Sequence, residues 1–164
     1  MSIAIYPGTF DPVTSGHLDI LERAVSLFDR VIIAVAKESN KNTLFSVDER
    51  LELLRTVTAS MPGVEVDSFE GLTVSYAREV GAKAIIRGLR AMSDFEFEFQ
   101  LALMNKKLDA SIETVFLMTQ SEFSFISSSA IKWVVELGGS IKGLVPVQVE
   151  VALKQKYEGK DGGM

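Results

Sequence analysis

The segment Pro7–His17, which reads P-G-T-F-D-P-V-T-S-G-H, contains residues suited to binding a phosphate group. Thr9 and Thr14 supply hydroxyl groups, and two glycines would let a ligand approach the backbone. His17 is the only histidine and follows a glycine at the expected start of a helix, where free N–H groups attract anions. This environment lowers the pKa of an imidazole and favours a neutral hydrogen-bond donor. The segment predicts an anion-binding loop; the alternative is an ordinary turn between a strand and a helix.

Two further segments carry groups that bind phosphate well. Arg87–Arg90 reads R-G-L-R and places two guanidinium groups around a glycine, and arginine forms paired hydrogen bonds with phosphate that lysine cannot reproduce. Phe123–Ser129 reads F-S-F-I-S-S-S ahead of an expected helix, where hydroxyl and backbone N–H groups would suit a polyphosphate. Taken singly, the first could be a solvated turn and the second a helix N-cap with two spare serines.

The elements that must position these segments alternate between strand and helix. The expected strands are Ser2–Tyr6, Val31–Ala36, Val64–Phe69, Lys83–Ile86 and Ile112–Met118. The expected helices are His17–Phe28, one from a capping box at Ser46 to about Ser60, Val74–Val80, one from a capping box at Ser93 to about Leu108, Ser127–Leu137, and one from Pro146 to about Tyr157. This order predicts an α/β fold, a single doubly wound, five-stranded parallel sheet of the Rossmann-like kind.

The predicted sheet suggests where the site lies. Ligands of such sheets bind beyond the carboxyl ends of the strands, where the strand order reverses. The loops after the first and fourth strands should therefore bring Pro7–His17 and Arg87–Arg90 together. We expect one domain over residues 1–157 and a flexible, polar, glycine-rich tail at 158–164.

Composition narrows the functional classes. The chain has 164 residues, 47% of them hydrophobic and 24% charged, which is typical of one globular domain. It has no cysteine, which excludes disulfides, thiolate catalysis and cysteine-based zinc sites. The net charge of −5 disfavours a nucleic-acid partner. The first residues lack a signal-like apolar run, and no stretch reaches membrane-spanning length, so we expect a soluble cytoplasmic protein with no membrane partner.

The three motifs together resemble the nucleotidylyltransferase superfamily, and most closely its phosphopantetheine adenylyltransferase family. T-x-G-H at Thr14–His17, after P-G-T-F-D-P, is similar to the H-x-G-H signature with threonine in place of the first histidine. R-G-L-R and F-S-F-I-S-S-S are similar to two further motifs in the same order, and the resemblance extends from Ile3 to Tyr157. It implies transfer of the adenylyl group of ATP to 4′-phosphopantetheine, giving dephospho-CoA and pyrophosphate. The attack would be in line, with no covalent enzyme intermediate.

The resemblance also implies the site residues. The catalytic residues would be His17, Lys41 and Arg90, with His17 stabilising the transition state. The ATP-binding residues would be Thr9, Phe10, His17, Gly88, Leu89, Arg90, Glu98, Phe123, Ser124, Phe125, Ile126, Ser127, Ser128 and Ser129. The acceptor would be bound by Thr9, Lys41, Thr73 and Arg87, in a pocket that Met104 and Asn105 help to line.

The resemblance implies cofactors and partners as well. Mg²⁺ should accompany the nucleotide, and no metal-binding cage made only of protein residues is visible in the sequence. The family's properties imply a homohexamer and feedback inhibition by coenzyme A. Phe95, Phe97 and Phe99 alternate with glutamates on an expected helix, so they could form a subunit interface or pack in the core.

Alternative functions remain at this level. One is a sister enzyme, such as a nicotinate mononucleotide adenylyltransferase or a glycerol-phosphate cytidylyltransferase, although the R-G-L-R and I-S-S-S context favours the pantetheine branch. A second is a regulator that binds a nucleotide without turnover. A third, a dinucleotide oxidoreductase, is disfavoured because the chain has no G-x-G-x-x-G sequence.

Overall fold

A computed structural model describes residues 1–37 and 42–161 as alternating strands and helices. The strands are β1 (Ile3–Gly8), β2 (Arg30–Ala36), β3 (Val64–Phe69), β4 (Ala84–Leu89) and β5 (Glu113–Met118). The helices are α1 (Ser15–Ala24), α2 (Val47–Thr58), α3 (Thr73–Glu79), α4 (Met92–Leu108), α5 (Ser128–Glu136) and α6 (Val147–Asp161), with a short 3₁₀ turn at Ser121–Phe123. Along the described residues, no helix is long and apolar enough to cross a membrane.

The five strands form one parallel sheet in the order β3-β2-β1-β4-β5, which confirms the predicted doubly wound architecture. Strands β1 and β2 pair over six residues, from Ile3 to Gly8. Strands β1 and β4 pair only at Ala4 with Ala84 and at Ile5 with Ile85. The two central strands therefore separate toward their carboxyl ends, at the point where the strand order reverses.

Apolar residues cover both faces of the sheet, which explains the uninterrupted apolar run of β2. Ala4, Ile33 and Ile86 face one core, which includes buried residues of α1, α2, α5 and α6. Ile5, Ile32 and Ile85 face the other core, which includes residues of α3. The functional segments are thus mounted on a sheet that is fixed from both sides.

Helix α1 differs from the prediction at both ends. It begins at Ser15 because Thr14 is its N-cap, and it ends at Ala24 instead of Phe28. Beyond that point the Ser26 hydroxyl donates to the carbonyl of Arg23 at 2.6 Å. Serine side chains compete in this way for backbone acceptors that a helix would otherwise use.

The start of α4 also differs, because the helix already includes Ser93, which was predicted to precede it as the N-cap. The helix begins at Met92 with Ala91 as its N-cap, and Ala91 makes no side-chain capping bond. The N–H groups of Asp94 and Phe95 instead donate to the carbonyl of Ala91, so the chain passes almost directly from β4 into the helix. The capping box predicted at Ser46 is confirmed, with Ser46 and Glu49 exchanging both hydrogen bonds.

Three further boundaries differ from the prediction, and the first is that β1 continues past Tyr6 through Gly8 because Pro7 and Gly8 pair with Ala34 and Val35 of β2. The predicted strand ended at Ile86, but β4 continues through Leu89, because Arg87, Gly88 and Leu89 pair with the last three residues of β5. The R-G-L segment is therefore strand, and only Arg90 lies beyond it. The expected loose tail is helical as far as Asp161, since extending an existing helix through good helix formers such as Glu158 and Lys160 costs little.

Candidate active site

A cleft of about 500 Å³ opens where β1 and β4 separate. Residues from all three sequence motifs line it, as do residues of the 42–43 segment and α4. The predicted site residues on its wall are Thr9, Phe10, His17, Thr73, Arg87, Gly88, Arg90, Glu98, Phe123, Ile126, Ser127, Ser128 and Ser129. Segments more than 100 residues apart in sequence thus meet at one place, as the switch-point argument predicted.

Three predicted nucleotide-binding residues do not line this cleft. Leu89 ends β4 in its ladder with β5. Ser124 directs its hydroxyl to the carbonyl of Ser121 at 2.9 Å, and the Phe125 side chain is 67% exposed. Lys41, the remaining predicted site residue, lies outside the described residues.

His17 lies in the first turn of α1, and a hydrogen bond determines which of its ring nitrogens can donate. The backbone N–H of Thr14 donates to His17 Nδ1 at 3.0 Å, and the Thr14 hydroxyl accepts from the His17 backbone N–H at 3.3 Å. These two bonds form a capping box in which histidine takes the role usually played by glutamate. Because Nδ1 accepts this hydrogen bond, the neutral ring carries its proton on Nε2.

The electrostatic environment keeps this imidazole neutral. Burial lowers the pKa of His17 to about 4, and the positive charges of Arg90 and Arg87 add to the effect. The sequence had suggested a lowered pKa from the helix terminus, and the dominant cause is instead burial. At neutral pH the cleft therefore contains an Nε2–H donor and no imidazolium charge.

Phe10 shapes the floor of the loop. It has a φ of 49°, a left-handed conformation that non-glycine residues rarely adopt. Its ring packs edge-on against His17, with centroids 4.9 Å apart, and against Tyr6 at 5.3 Å. A Cβ atom on Gly8 would lie 3.0 Å from this ring, so the space beside Gly8 is filled by Phe10 and not left open for a ligand.

Arg87 bridges the gap between the two separating strands. Its Nη1 donates to the carbonyl of Pro7 at 2.9 Å, in the region where β1 and β4 no longer pair. Its Nε and Nη2 donate to both oxygens of Glu98 at 2.8 and 2.6 Å. These two hydrogen bonds hold the Arg87 guanidinium in one orientation. Glu98 is buried in the wall of the cleft and reaches a ligand there only next to Arg87.

Arg90 links the second motif to the third. Its Nη1 donates to the carbonyl of Ile126 at 2.9 Å, and its Nε contacts Asp94 at 3.2 Å. The third motif then enters α5, where the Ser127 hydroxyl caps the helix by accepting from the N–H of Ala130. The first turn of α5 faces the cleft with free N–H groups, which is an arrangement suited to phosphate oxygens.

Sequence reasoning missed two buried charged residues, Asp11 and Arg50, whose hydrogen bonds hold the Pro7–His17 loop in place. Asp11 is 3% exposed and accepts the N–H groups of Leu44 and Phe45 and the ammonium of Lys132. Arg50, also 3% exposed, donates to the carbonyl of Thr9 at 2.8 Å. The aspartate of P-G-T-F-D-P was the available signal for the first of these, but nothing in the sequence pairs it with Lys132.

A second cavity of about 310 Å³ adjoins the cleft and shares Pro7, Thr73, Arg87 and Glu98 with it. Its remaining wall is mainly apolar and comes from α4, the turn before α3, and Ile85 and Thr114 of the sheet. These residues include Leu72, Leu101, Met104, Asn105 and Leu108. The shared residues place Arg87 between a polar cleft and a more apolar recess.

The arrangement of carboxylates in the cleft bears on whether the protein itself could hold a metal ion. Over residues 1–37 and 42–161, no group of three histidine, aspartate or glutamate side chains is placed to hold a metal ion. Each described carboxylate that lines the cleft already forms an ion pair with a lysine or arginine side chain. These carboxylates are Asp11, Asp94 and Glu98. A protein-borne metal cage does not fit this arrangement.

The chain is similar to proteins of known family. The model of the cytidylyltransferase-like family matches residues 5–134. Proteins named phosphopantetheine adenylyltransferase from Desulfitobacterium hafniense and Moorella thermoacetica are 67% and 60% identical over 157 residues, covering 96% of this chain and 96% and 98% of theirs. The corresponding protein of Carboxydothermus hydrogenoformans is 58% identical over 162 residues, 99% of both chains.

A solved structure gives the same fold at lower sequence similarity. It is described as a putative nicotinate-nucleotide adenylyltransferase from Vibrio parahaemolyticus, with a TM-score of 0.73 and 18% identity. The match covers 96% of this chain and 95% of that one. At this level of identity the likeness bears on the fold alone.

Proposed function

This chain belongs to the phosphopantetheine adenylyltransferase family, within the cytidylyltransferase-like group, and on that premise we propose how its cleft performs the reaction. The enzyme transfers the adenylyl group of ATP to the phosphate of 4′-phosphopantetheine. The products are dephospho-CoA and pyrophosphate. The observation that carries the mechanism is the neutral His17, whose Nδ1 accepts from Thr14 and whose Nε2–H is left to donate into the cleft.

The nucleotide occupies the larger cleft. Its β- and γ-phosphates accept hydrogen bonds from the first turn of α5 at Ser127–Ser129, where free N–H groups favour anions. Arg90 approaches the same phosphates from the end of β4, held by the carbonyl of Ile126. The α-phosphate then lies near His17 and Thr9, in the first loop.

The reaction is a direct displacement at the α-phosphorus. A phosphate oxygen of the acceptor forms the new bond to phosphorus, the bond to the bridging oxygen breaks, and pyrophosphate leaves with that electron pair. The His17 Nε2–H donates to a non-bridging oxygen as negative charge shifts during transfer. Positioning and charge stabilisation supply the catalysis, and no side chain becomes covalently attached.

The acceptor occupies the smaller cavity. Arg87 lies on the boundary and contacts both cavities, so it can direct the acceptor phosphate toward the α-phosphorus. The apolar wall around Leu101 and Leu108 suits the pantetheine arm, with Thr73, Met104 and Asn105 on the same wall. The resemblance assigns Lys41 to the acceptor phosphate as well, although Lys41 lies outside the described residues.

Mg²⁺ is proposed as a companion of ATP. Because the described carboxylates of the cleft are engaged with cations, the ion would be held by phosphate oxygens and water. It would compensate part of the charge of the polyphosphate.

We also propose that coenzyme A inhibits the enzyme by binding in the same cleft, and that the enzyme works in the cytoplasm, where ATP is available.

We further propose that the chain forms a homohexamer. Phe95, Phe97 and Phe99 on α4 are 40%, 62% and 47% exposed, so packing within one chain leaves much of their surface uncovered. Phe95 and Phe99 stack with ring centroids 5.6 Å apart, and exposed aromatic side chains of this kind are typical of a subunit interface. Their exposure supports α4 as a contact between copies of the chain.

Pyrophosphate release tests the proposal. ATP is incubated with 4′-phosphopantetheine, nicotinate mononucleotide or glycerol 3-phosphate, and CTP replaces ATP in a parallel series. Release only with ATP and 4′-phosphopantetheine is expected. Release with another pair would identify a sister activity, and nucleotide binding without release would indicate a regulator.

A further inference from the structure

The charged side chains that line the larger cleft cancel one another within residues 1–37 and 42–161. Three are cations and three are carboxylates, and every cation contacts a carboxylate. The pairs are Arg87 with Glu98, Arg90 with Asp94, and Lys132 with Asp11. Since His17 is neutral, this part of the cleft has no net charge to offer a strongly anionic nucleotide.

The three pairs differ in how firmly they are closed. Arg87 and Glu98 form two hydrogen bonds, and the Glu98 side chain is 10% exposed. Lys132 contacts an Asp11 side chain that is 4% exposed, and that carboxylate also accepts two backbone N–H groups. Opening either pair would leave a buried carboxylate without its counter-charge, which is costly.

The pair between Arg90 and Asp94 is the loose one. It has a single contact of 3.2 Å, and its side chains are 40% and 31% exposed. Water can solvate the Asp94 carboxylate at little cost in free energy when this contact opens, since exposed ion pairs are weak. The bond from Arg90 Nη1 to the Ile126 carbonyl does not involve Asp94, so the guanidinium keeps its place when that contact opens.

We propose that Asp94 competes with a nucleotide phosphate for Arg90 and thereby weakens the affinity of the enzyme for ATP. In the free protein the Asp94 carboxylate occupies Nε of Arg90, and in the complex a phosphate oxygen replaces it. This inference rests on the proposed function, because it takes Arg90 as a ligand of ATP. It makes Asp94 a residue that sets substrate affinity without taking part in the chemistry.

Asp94 has another, purely structural role that must be separated from this one. It lies in the first turn of α4, where a negative charge stabilises the helix terminus. Loss of that role would lower the melting temperature and would either leave the KM for ATP unchanged or raise it. A fall in the KM for ATP is a result that loss of this structural role does not produce, and the Arg90 background described below assigns the fall to competition for that arginine.

The test is the isosteric Asp94→Asn variant, with Glu96→Gln as its matched control. Glu96 is exposed on the same helix two residues further on and does not line the cleft, so its variant removes the same formal charge from the same region. Asp94→Asn is expected to lower the KM for ATP by about two- to fivefold, the range of a weak exposed ion pair, with the KM for 4′-phosphopantetheine unchanged. Glu96→Gln should leave both values unchanged.

A double-variant cycle locates the effect on Arg90. In an Arg90→Gln background, the further Asp94→Asn change should produce no fall in the KM for ATP, because the competing cation is gone. An unchanged or raised KM in Asp94→Asn, or an equal fall in Glu96→Gln or in the Arg90→Gln background, would overturn the proposal. Absence of turnover by the unmodified enzyme with ATP and 4′-phosphopantetheine would instead overturn the proposed function, so the two failures are distinguishable.

Discussion

The backbone N–H of Thr14 donates to Nδ1 of His17 over 3.0 Å, which leaves Nε2 as the donor nitrogen of a neutral ring. The hydrogen bond is local, because the two residues are three positions apart and form the cap of α1. Its consequence is chemical, since the orientation and the tautomer of the imidazole are both set before any ligand arrives. A preset donor stabilises a transition state without reorganising during the reaction.

Replacing His17 by alanine should reduce kcat far more than it weakens ATP binding. The lost group donates mainly to charge that develops in the transition state, and removal of such a donor costs about 10²- to 10³-fold in rate. Steady-state kinetics give kcat, and calorimetric titration gives the Kd for ATP. Equal losses in rate and affinity would show that His17 binds the ground state just as strongly.

The unliganded protein should lose stability as the pH falls from about 6.5 toward 4 because of His17. Its pKa is about 4 in the folded protein and near 6.5 when unfolded, so in this interval the unfolded chain binds the additional proton. Stability from this group is fully present above pH 6.5. Melting temperatures at pH 7 and pH 5 should differ less in His17→Ala than in the unmodified protein, and equal differences would refute the assignment.

Lys132→Met should destabilise the protein by about 3 kcal/mol, because it leaves the buried Asp11 carboxylate without its counter-charge. Urea unfolding at fixed protein concentration measures the loss. Lys154→Met breaks the exposed pair with Glu150 and should cost at most about 0.5 kcal/mol. A double variant, Asp11→Asn with Lys132→Met, should recover part of the stability; a larger loss than in Lys132→Met alone would mean that the pair is not the cause.

Gly8→Ala should impair both stability and activity through Phe10. The added Cβ would meet the Phe10 ring at 3.0 Å, and that ring cannot move freely because it packs against Tyr6 and His17. A loss of about 1–3 kcal/mol is expected from such overpacking, together with a lower kcat. Gly159→Ala in α6 has open space and should be neutral or slightly stabilising. Unfolding curves and kinetics of both variants provide the comparison.

Phe97→Glu should disrupt the proposed assembly, since this side chain is 62% exposed on α4 and cannot be explained by the core of one chain. Light scattering after gel filtration is expected to show a hexamer for the unmodified protein and a smaller species for the variant. Gln100→Glu places a charge at an exposed polar position of the same helix and serves as control. A monomer in the unmodified protein would exclude the proposed hexamer.

Prediction from sequence succeeded best where a structural signal lies within a few residues. Alternation of apolar runs with amphipathic segments predicted all five strands, and the Ser46 box marked the start of α2 correctly. It failed at Ser93, where an equally good local pattern lost to the direct passage from β4 into α4. It also ended β4 too early, because pairing with β5 extends that strand through Leu89.

The sequence by itself determined the order of the elements, the three motifs and the neutral character expected of His17, since periodicity, capping and residue chemistry act over short distances. Tertiary structure alone decided that β1 and β4 separate after two residue pairs and that Arg87 spans the gap to Pro7. It also decided the partners of the cations in the cleft. Lys132 and Asp11 lie 121 positions apart, and only the packing of α5 against the first loop brings them together.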